Sequence, residues 1–166
     1  MAYVKSSIPR PGDGAGCAAT RKSQIILVDV EDVASEPTRE VGNCVVTGDL
    51  TLKTGAKAIS IYATASTIQV TEELSGDPDA EGIKTGIVFD HPGNSVAIKN
   101  FIEIFKNRGV IAIVQECDGT TAGRPQIMGR VCNPLRLSLE TKMDGEATKR
   151  TLTWKQAVPD KFLAGE

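Results

Sequence analysis

Asp90-His91-Pro92-Gly93-Asn94-Ser95, Val96-Ala97-Ile98-Lys99-Asn100-Phe101-Ile102-Glu103-Ile104-Phe105-Lys106-Asn107-Arg108-Gly109 and Val110-Ile111-Ala112-Ile113-Val114-Gln115-Glu116-Cys117 form one continuous stretch. It reads as turn, helix, turn, strand. Ile98, Phe101, Ile102 and Phe105 recur at i, i+3, i+4 and i+7, which sets them on one face of a 3.6-residue turn. Ala97 and Ile104 widen that stripe, and Lys99, Asn100, Glu103, Lys106 and Asn107 fill the other side. Pro92-Gly93 breaks what precedes, and Asn94 or Ser95 is placed to cap a free backbone N–H. Arg108 suits the negative end of the dipole, and Gly109 the left-handed residue that closes a helix. Lys99 and Glu103 are spaced for an ion pair. A helix of about three turns does not persist alone in water, so it must lie on an apolar surface.

Outside this stretch the chain reads as strands. Gln24 to Val30 is a compact apolar run that suits a strand buried on both faces. Cys44-Val45-Val46, Asp49 to Lys53, Ala58 to Ala65, with Ile59 and Ile61 on one face, and Thr67 to Thr71 follow. Then come Ile83 to Phe89, Val110 to Val114 and Gln126 to Val131. Leu135, Leu137 and Leu139 alternate with Arg136, Ser138 and Glu140, so the leucines are expected inside. Met143-Asp144-Gly145-Glu146 is a hairpin turn leading to Lys149–Val158, with Leu152 and Trp154 inward. The expected fold is mainly β: an antiparallel β-sandwich or barrel of about eight strands with one flanking α-helix near 95–108.

The 166 residues suit a single domain, 1–166. Residues 1–22, rich in Gly, Pro and Ser, form an extended N-terminal arm, either loose or ordered on a neighbouring subunit. Residues 159–166 form a C-terminal tail that frays or docks through Phe162 and Leu163. A net charge of −2 gives no basic field for nucleic acid, and no apolar run reaches membrane-spanning length. The first residues lack the apolar core of a signal peptide, so synthesis in the cytoplasm is expected.

Chemistry is hard to find. Cys17, Cys44, Cys117 and Cys132 show no metal spacing and are expected as free, mostly buried thiols. The lone His91 sits beside Pro92-Gly93 and reads as a turn residue; a hydrolase using it with Cys117 or Cys132 is a formal alternative. Gly12-x-Gly14-x-Gly16 follows no strand and opens no helix, which removes it as a phosphate loop. Glu72, Glu73, Asp77, Asp79 and Glu81 make a polar segment expected as a solvated loop tip; its spacing does not match a calcium loop. No catalytic residue, cofactor or metal is expected.

The order of elements, with the helix 95–108, the strand Val110–Val114 and the hairpin Leu135–Val158, resembles the tail-tube proteins of long-tailed bacteriophages and the tube proteins of contractile injection systems. The likeness covers residues 23–158 loosely, as element order and composition, and the early excursion is shorter than in many tube proteins. Neck-ring, tail-terminator and head-completion proteins share it. The resemblance implies a non-enzymatic virion structural subunit, located in the tail. It would self-assemble into hexameric rings that stack into a channel for DNA, with itself and other tail proteins as partners. It makes Glu31, Asp32, Glu36, Glu72, Glu73, Asp77, Asp79 and Glu81 candidate interface or lumen residues. The competing reading is a monomeric β-sandwich binding or adhesion module, although sugar sites use exposed aromatic platforms and only Trp154, Tyr3 and Tyr62 are available.

Overall fold

The computed structural model describes residues 7–9, 21–40, 42–117, 125–143 (backbone alone over 141–143) and 148–165. The strands are β1 (Arg21–Asp29), β2 (Val33–Ser35), β3 (Thr51–Leu52), β4 (Ile59–Tyr62), β5 (Gln69–Ser75), β6 (Gly82–Pro92), β7 (Gly109–Glu116), β8 (Gln126–Met128), β9 (Leu135–Met143) and β10 (Thr148–Gln156). The α-helix, α1, spans Val96–Phe105. Eight strands form one antiparallel sheet in the order β4-β1-β7-β9-β10-β6-β5, with β8 also on β7; β2 and β3 pair apart from it.

The sheet folds over on itself as a sandwich. β7 pairs β8 through Ala112–Val114 but β9 only through Gly109 and Val110. That short seam divides the sheet into a β4-β1-β7-β8 half and a β5-β6-β10-β9 half. At the opposite corner one bent segment serves both: β4 pairs β1, a 3-10 turn at Ala65–Thr67 follows, and β5 pairs β6. Strands that bend from one sheet into the other make such corners. Arg21 Nη1 donates to Ile68 O at 2.6 Å, and Thr64 N to Asp90 O at 3.1 Å, fixing the bend.

Between the halves lies one core, including Ile25, Leu27, Ile87, Phe89, Leu152 and Trp154. Helix α1 covers its open side, Phe105 meeting Trp154 edge-on at 6.2 Å between ring centroids and stacking with Phe101 at 4.7 Å. The inward row of β10 is apolar at its middle and polar at its ends. Arg150 donates to Asn94 Oδ1 just before the helix, and Gln156 Oε1 accepts from Thr85 N and Oγ1, each at 3.0 Å. These bonds pair most of the polar atoms where the core meets solvent, although Arg150 Nε and Trp154 Nε1 stay buried without a partner.

The two halves differ on their outer faces. Val28 and Ile111, on the outer face of the first half, pack with Val33 and Leu52 of the β2–β3 pair. β1 and β7 are therefore buried on both faces, which is why their sequences are apolar runs. Among the described residues no such element covers the second half, and its strands alternate.

Several expectations change. Ser95 caps the helix as expected, accepting from Ile98 N at 3.4 Å, but Ala97 and Ile104 are exposed, because the groove at the sheet edge admits only a narrow stripe. Glu103 pairs with Lys106 rather than Lys99. Gly109 opens β7 instead of closing the helix and has no positive φ. A Cβ there would lie 2.5 Å from Pro134 Cγ, so close approach, not backbone handedness, demands the glycine. Asp90-His91-Pro92 belongs to β6, held by pairing with Arg150 and Lys149 of β10. Cys44-Val45-Val46 forms no strand; beside it only the Thr38–Thr47 bridge is made. Leu139 faces inward as expected but is 40% exposed, past the point where β7 leaves β9, and Ile59, on one face with Ile61 as expected, is 40% exposed on the end strand β4. The C-terminal tail docks through its backbone, Asp160 bridging to Ile83 and Gly165 to Ile127. The 144–147 turn, Gly12 to Gly16 and Cys17 lie outside the described residues.

Replacing Phe105 by alanine should cost about 3–5 kcal/mol, as for large-to-small changes in packed cores. Denaturant melts of both proteins measure this; an unchanged midpoint contradicts a helix docked through that ring.

Candidate functional site

The eight acidic residues singled out above fall into two groups. Glu31 and Asp32 stand in the 3-10 turn after β1, and Glu36 follows β2. Asp29, buried at the end of β1, caps that turn by accepting from Glu31 N at 3.0 Å. Arg108 Nη1, just beyond the helix, reaches Asp29 Oδ2 at 2.7 Å and Glu31 Oε2 at 3.4 Å. Its hydrogen bond and proximity to Asp29, with Glu31 adding, hold its pKa above the ordinary arginine value. Glu36 Oε1 accepts from Val131 N at 2.6 Å, and Asp32 O from Lys53 N at 2.9 Å. This group is therefore committed to holding connections together.

The second group is the β5–β6 hairpin. Glu72 and Glu73 were expected in a loop, but β5 runs through Ser75 and carries both. As neighbours on a strand they point to opposite faces. Glu73 stands opposite Lys84, and Glu72 opposite Thr85. Asp77, Asp79 and Glu81 are exposed in the turn, where Asp77 O accepts from Ala80 N at 2.9 Å and Asp79 adopts φ 69°. Short polar side chains tolerate that conformation best.

Register brings the two groups to one end of the sandwich, where β1 and β10 finish and β6, β7 and β9 begin. The acids thus occupy a rim, interspersed with Arg108, Arg130 and Lys161, rather than lining one face. Arg130 lies 3.6 Å from Asp160 and 5.2 Å over the Phe162 ring. Arg39 donates to Ile127 O at 3.0 Å and Gly129 O at 3.3 Å. Burial, then the charge of Arg130, pulls its pKa below the ordinary arginine value.

His91 Nδ1 lies 2.9 Å from Tyr62 O, joining β6 to the end of β4. Cys44, Cys117 and Cys132 are free and exposed, correcting the expectation of buried thiols: each falls in a connection or at a strand end, not on an inward row. Among the described residues no group of three or more His, Cys, Asp or Glu is arranged to hold a metal. None of the helices there is long and apolar enough to cross a membrane.

The features that sequence reasoning missed are edges. β5 ends the sheet, and its Leu74 is 68% exposed. β9 loses β7 after Arg136, and among the described residues no further strand pairs with it on that side; Leu139 there is 40% exposed. The alternation of Leu135, Leu137 and Leu139 gave the right face, and only the pairing reveals that it runs past the core.

A thiol-reactive chromophore should modify Cys44, Cys117 and Cys132 rapidly in the folded protein. Modification only after denaturation would contradict their placement. No family model, curated protein or solved structure matches the chain.

Proposed function

We propose that the chain is a virion structural subunit that adds to copies of itself edge to edge, closing into rings that stack as the tail tube of a long-tailed bacteriophage. The observation that carries this reading is the pair of free edges on one half of the sandwich. β9, β10, β6 and β5 alternate in direction, each antiparallel to the next. With four strands, β5 runs opposite to β9. A second copy in the same orientation can therefore set its β9 against β5 and continue the antiparallel ladder without a break. Past Arg136, β9 runs on beyond its pairing with β7 for a length that matches the 7 residues of β5. The inward-facing, exposed Leu74 and Leu139 lie on the two edges such a junction brings together. Contact of this head-to-tail kind closes into a ring when its rotation permits, and it removes edges that would otherwise invite uncontrolled pairing.

The bare outer face of the same half supports a channel. It bears Ser138, Thr151 and Thr153, with Lys84, Arg136, Lys149 and Lys155 interspersed among Glu73, Asp90 and Glu140; Asp90 accepts from Lys149 Nζ at 2.9 Å and from Thr151 Oγ1 at 2.7 Å. A polar face whose cations are mixed with acids holds a phosphate backbone less tightly than a uniformly basic one. The acidic rim then serves contacts between stacked rings, with DNA and other tail proteins as further partners. A monomeric adhesion module is the weaker alternative, since Trp154 is fully buried and leaves no broad aromatic platform.

Light scattering and negative-stain images of the purified protein should show rings or tubes of uniform diameter. Leu74→Lys, which places a charge at the junction on an exposed position, should leave a folded monomer. A monomer at every concentration, or unimpaired assembly of the variant, argues against the proposal.

A further inference from the structure

Among the described residues β4 is the end strand of the main sheet opposite β5, and it borders a groove. The groove has a volume of about 260 Å³ and is lined by Ser60, Tyr62 and His91 on one side and Ser95, Ala97 and Phe101 of the helix region on the other. It is smaller than the roughly 300–1,000 Å³ of typical small-molecule sites, a size suited to one or two side chains. Tyr62 is 51% exposed at its mouth, and Val96 is exposed beside it. A strand edge next to an apolar groove is the arrangement that accepts an extended peptide: backbone bonds to the edge, one side chain into the groove.

The chain carries a matching segment. Ser7-Ile8-Pro9 lies ahead of β1, and Ile8 is 93% exposed, leaving its own groove unfilled. Pro9 has no N–H to lose, which suits a strand added at an edge with that position turned to solvent. From Pro9 to Arg21 the chain can span about 40 Å if extended, well beyond the roughly 15 Å radius of gyration of a domain this long. Arg21, where β1 begins, is anchored at the corner between β4 and β5 by its bond to Ile68 O.

We infer that Ser7-Ile8-Pro9 of one copy docks on the β4 edge of another, with Ile8 in the groove between Tyr62 and Phe101. This contact is separate from the β5–β9 junction and does not require a ring. It gives the arm a defined receptor and links copies through a face that the junction leaves open.

The test uses the full chain with a photoreactive benzophenone side chain introduced at position 8. Isotopically heavy and light copies are mixed, irradiated and analysed by mass spectrometry. The expected products join position 8 of one label to residues 59–62 or 96–101 of the other. They should fall to background in a partner bearing Ala97→Trp, which fills the groove from an exposed position; Tyr62→Ser serves if that variant does not fold. Links within one label only, links elsewhere, or no links overturn the inference. Mixed-label links at the groove without rings by microscopy would uphold it and remove the tube reading. Rings without such links would do the reverse.

Discussion

Phe105 meets Trp154 edge-on at 6.2 Å, and this contact ties the helix to the sheet on which the rest of the structure depends. Among the described residues the two halves of the sandwich share backbone pairing at a two-residue seam, at a bent strand and through the C-terminal tail, which bridges to Ile83 and to Ile127. What holds them face to face is the apolar core they enclose, and helix α1 closes its open side. Burying aromatic rings removes large apolar areas from water, and offset or edge-on geometry adds to that gain. At the two ends of the β10 row Gln156 meets Thr85 and Arg150 meets Asn94, while Arg150 Nε and Trp154 Nε1 are buried without a hydrogen-bond partner.

A consequence is an asymmetry between the halves. The β2–β3 pair covers the outer face of the first half, so β1 and β7 are apolar on both sides. Among the described residues the second half has a polar face that no other element covers, with β5 as its end strand and β9 running past β7. Its form is that of an element with backbone valence left over. Such edges are hazards unless they are blocked or used. Here charged residues such as Glu72 and Glu73 stand on β5, beside the exposed Leu74. Pairing β5 with itself in antiparallel fashion would bring like charges close, which disfavours it. Pairing with β9 of a second copy avoids that penalty.

Much of this was legible in the residues. The i, i+3, i+4, i+7 spacing of Ile98, Phe101, Ile102 and Phe105 located the helix, and Ser95 its cap. The Gln24–Val30 run announced a doubly buried strand, and the alternation around Leu152 and Trp154 a singly buried one. Periodicity reports which face a side chain occupies, but not which strand lies alongside. Leu139 and Ile59 occupy the faces their alternation indicates, yet each is 40% exposed for that reason. Gly109 was read through local helix chemistry, whereas the approach of Pro134, distant in sequence, sets its identity. The acidic residues were legible as a polar class, but their gathering at one rim depends on strand register and could not be seen beforehand. The seam where β9 parts from β7 had no sequence signal at all.

The central claim is that the free backbone of β5 is completed by β9 of another copy. Amide hydrogen exchange across a concentration series tests it at the bonds concerned. Amides of β5 that point away from β6, and those of Leu137–Met143 that point away from β10, should exchange quickly in dilute protein and become protected together as assembly proceeds. The β1 and β7 amides should be protected throughout. Equal exchange of the β5 and β9 edge amides in dilute and assembled protein, or protection of one edge without the other, would contradict the account.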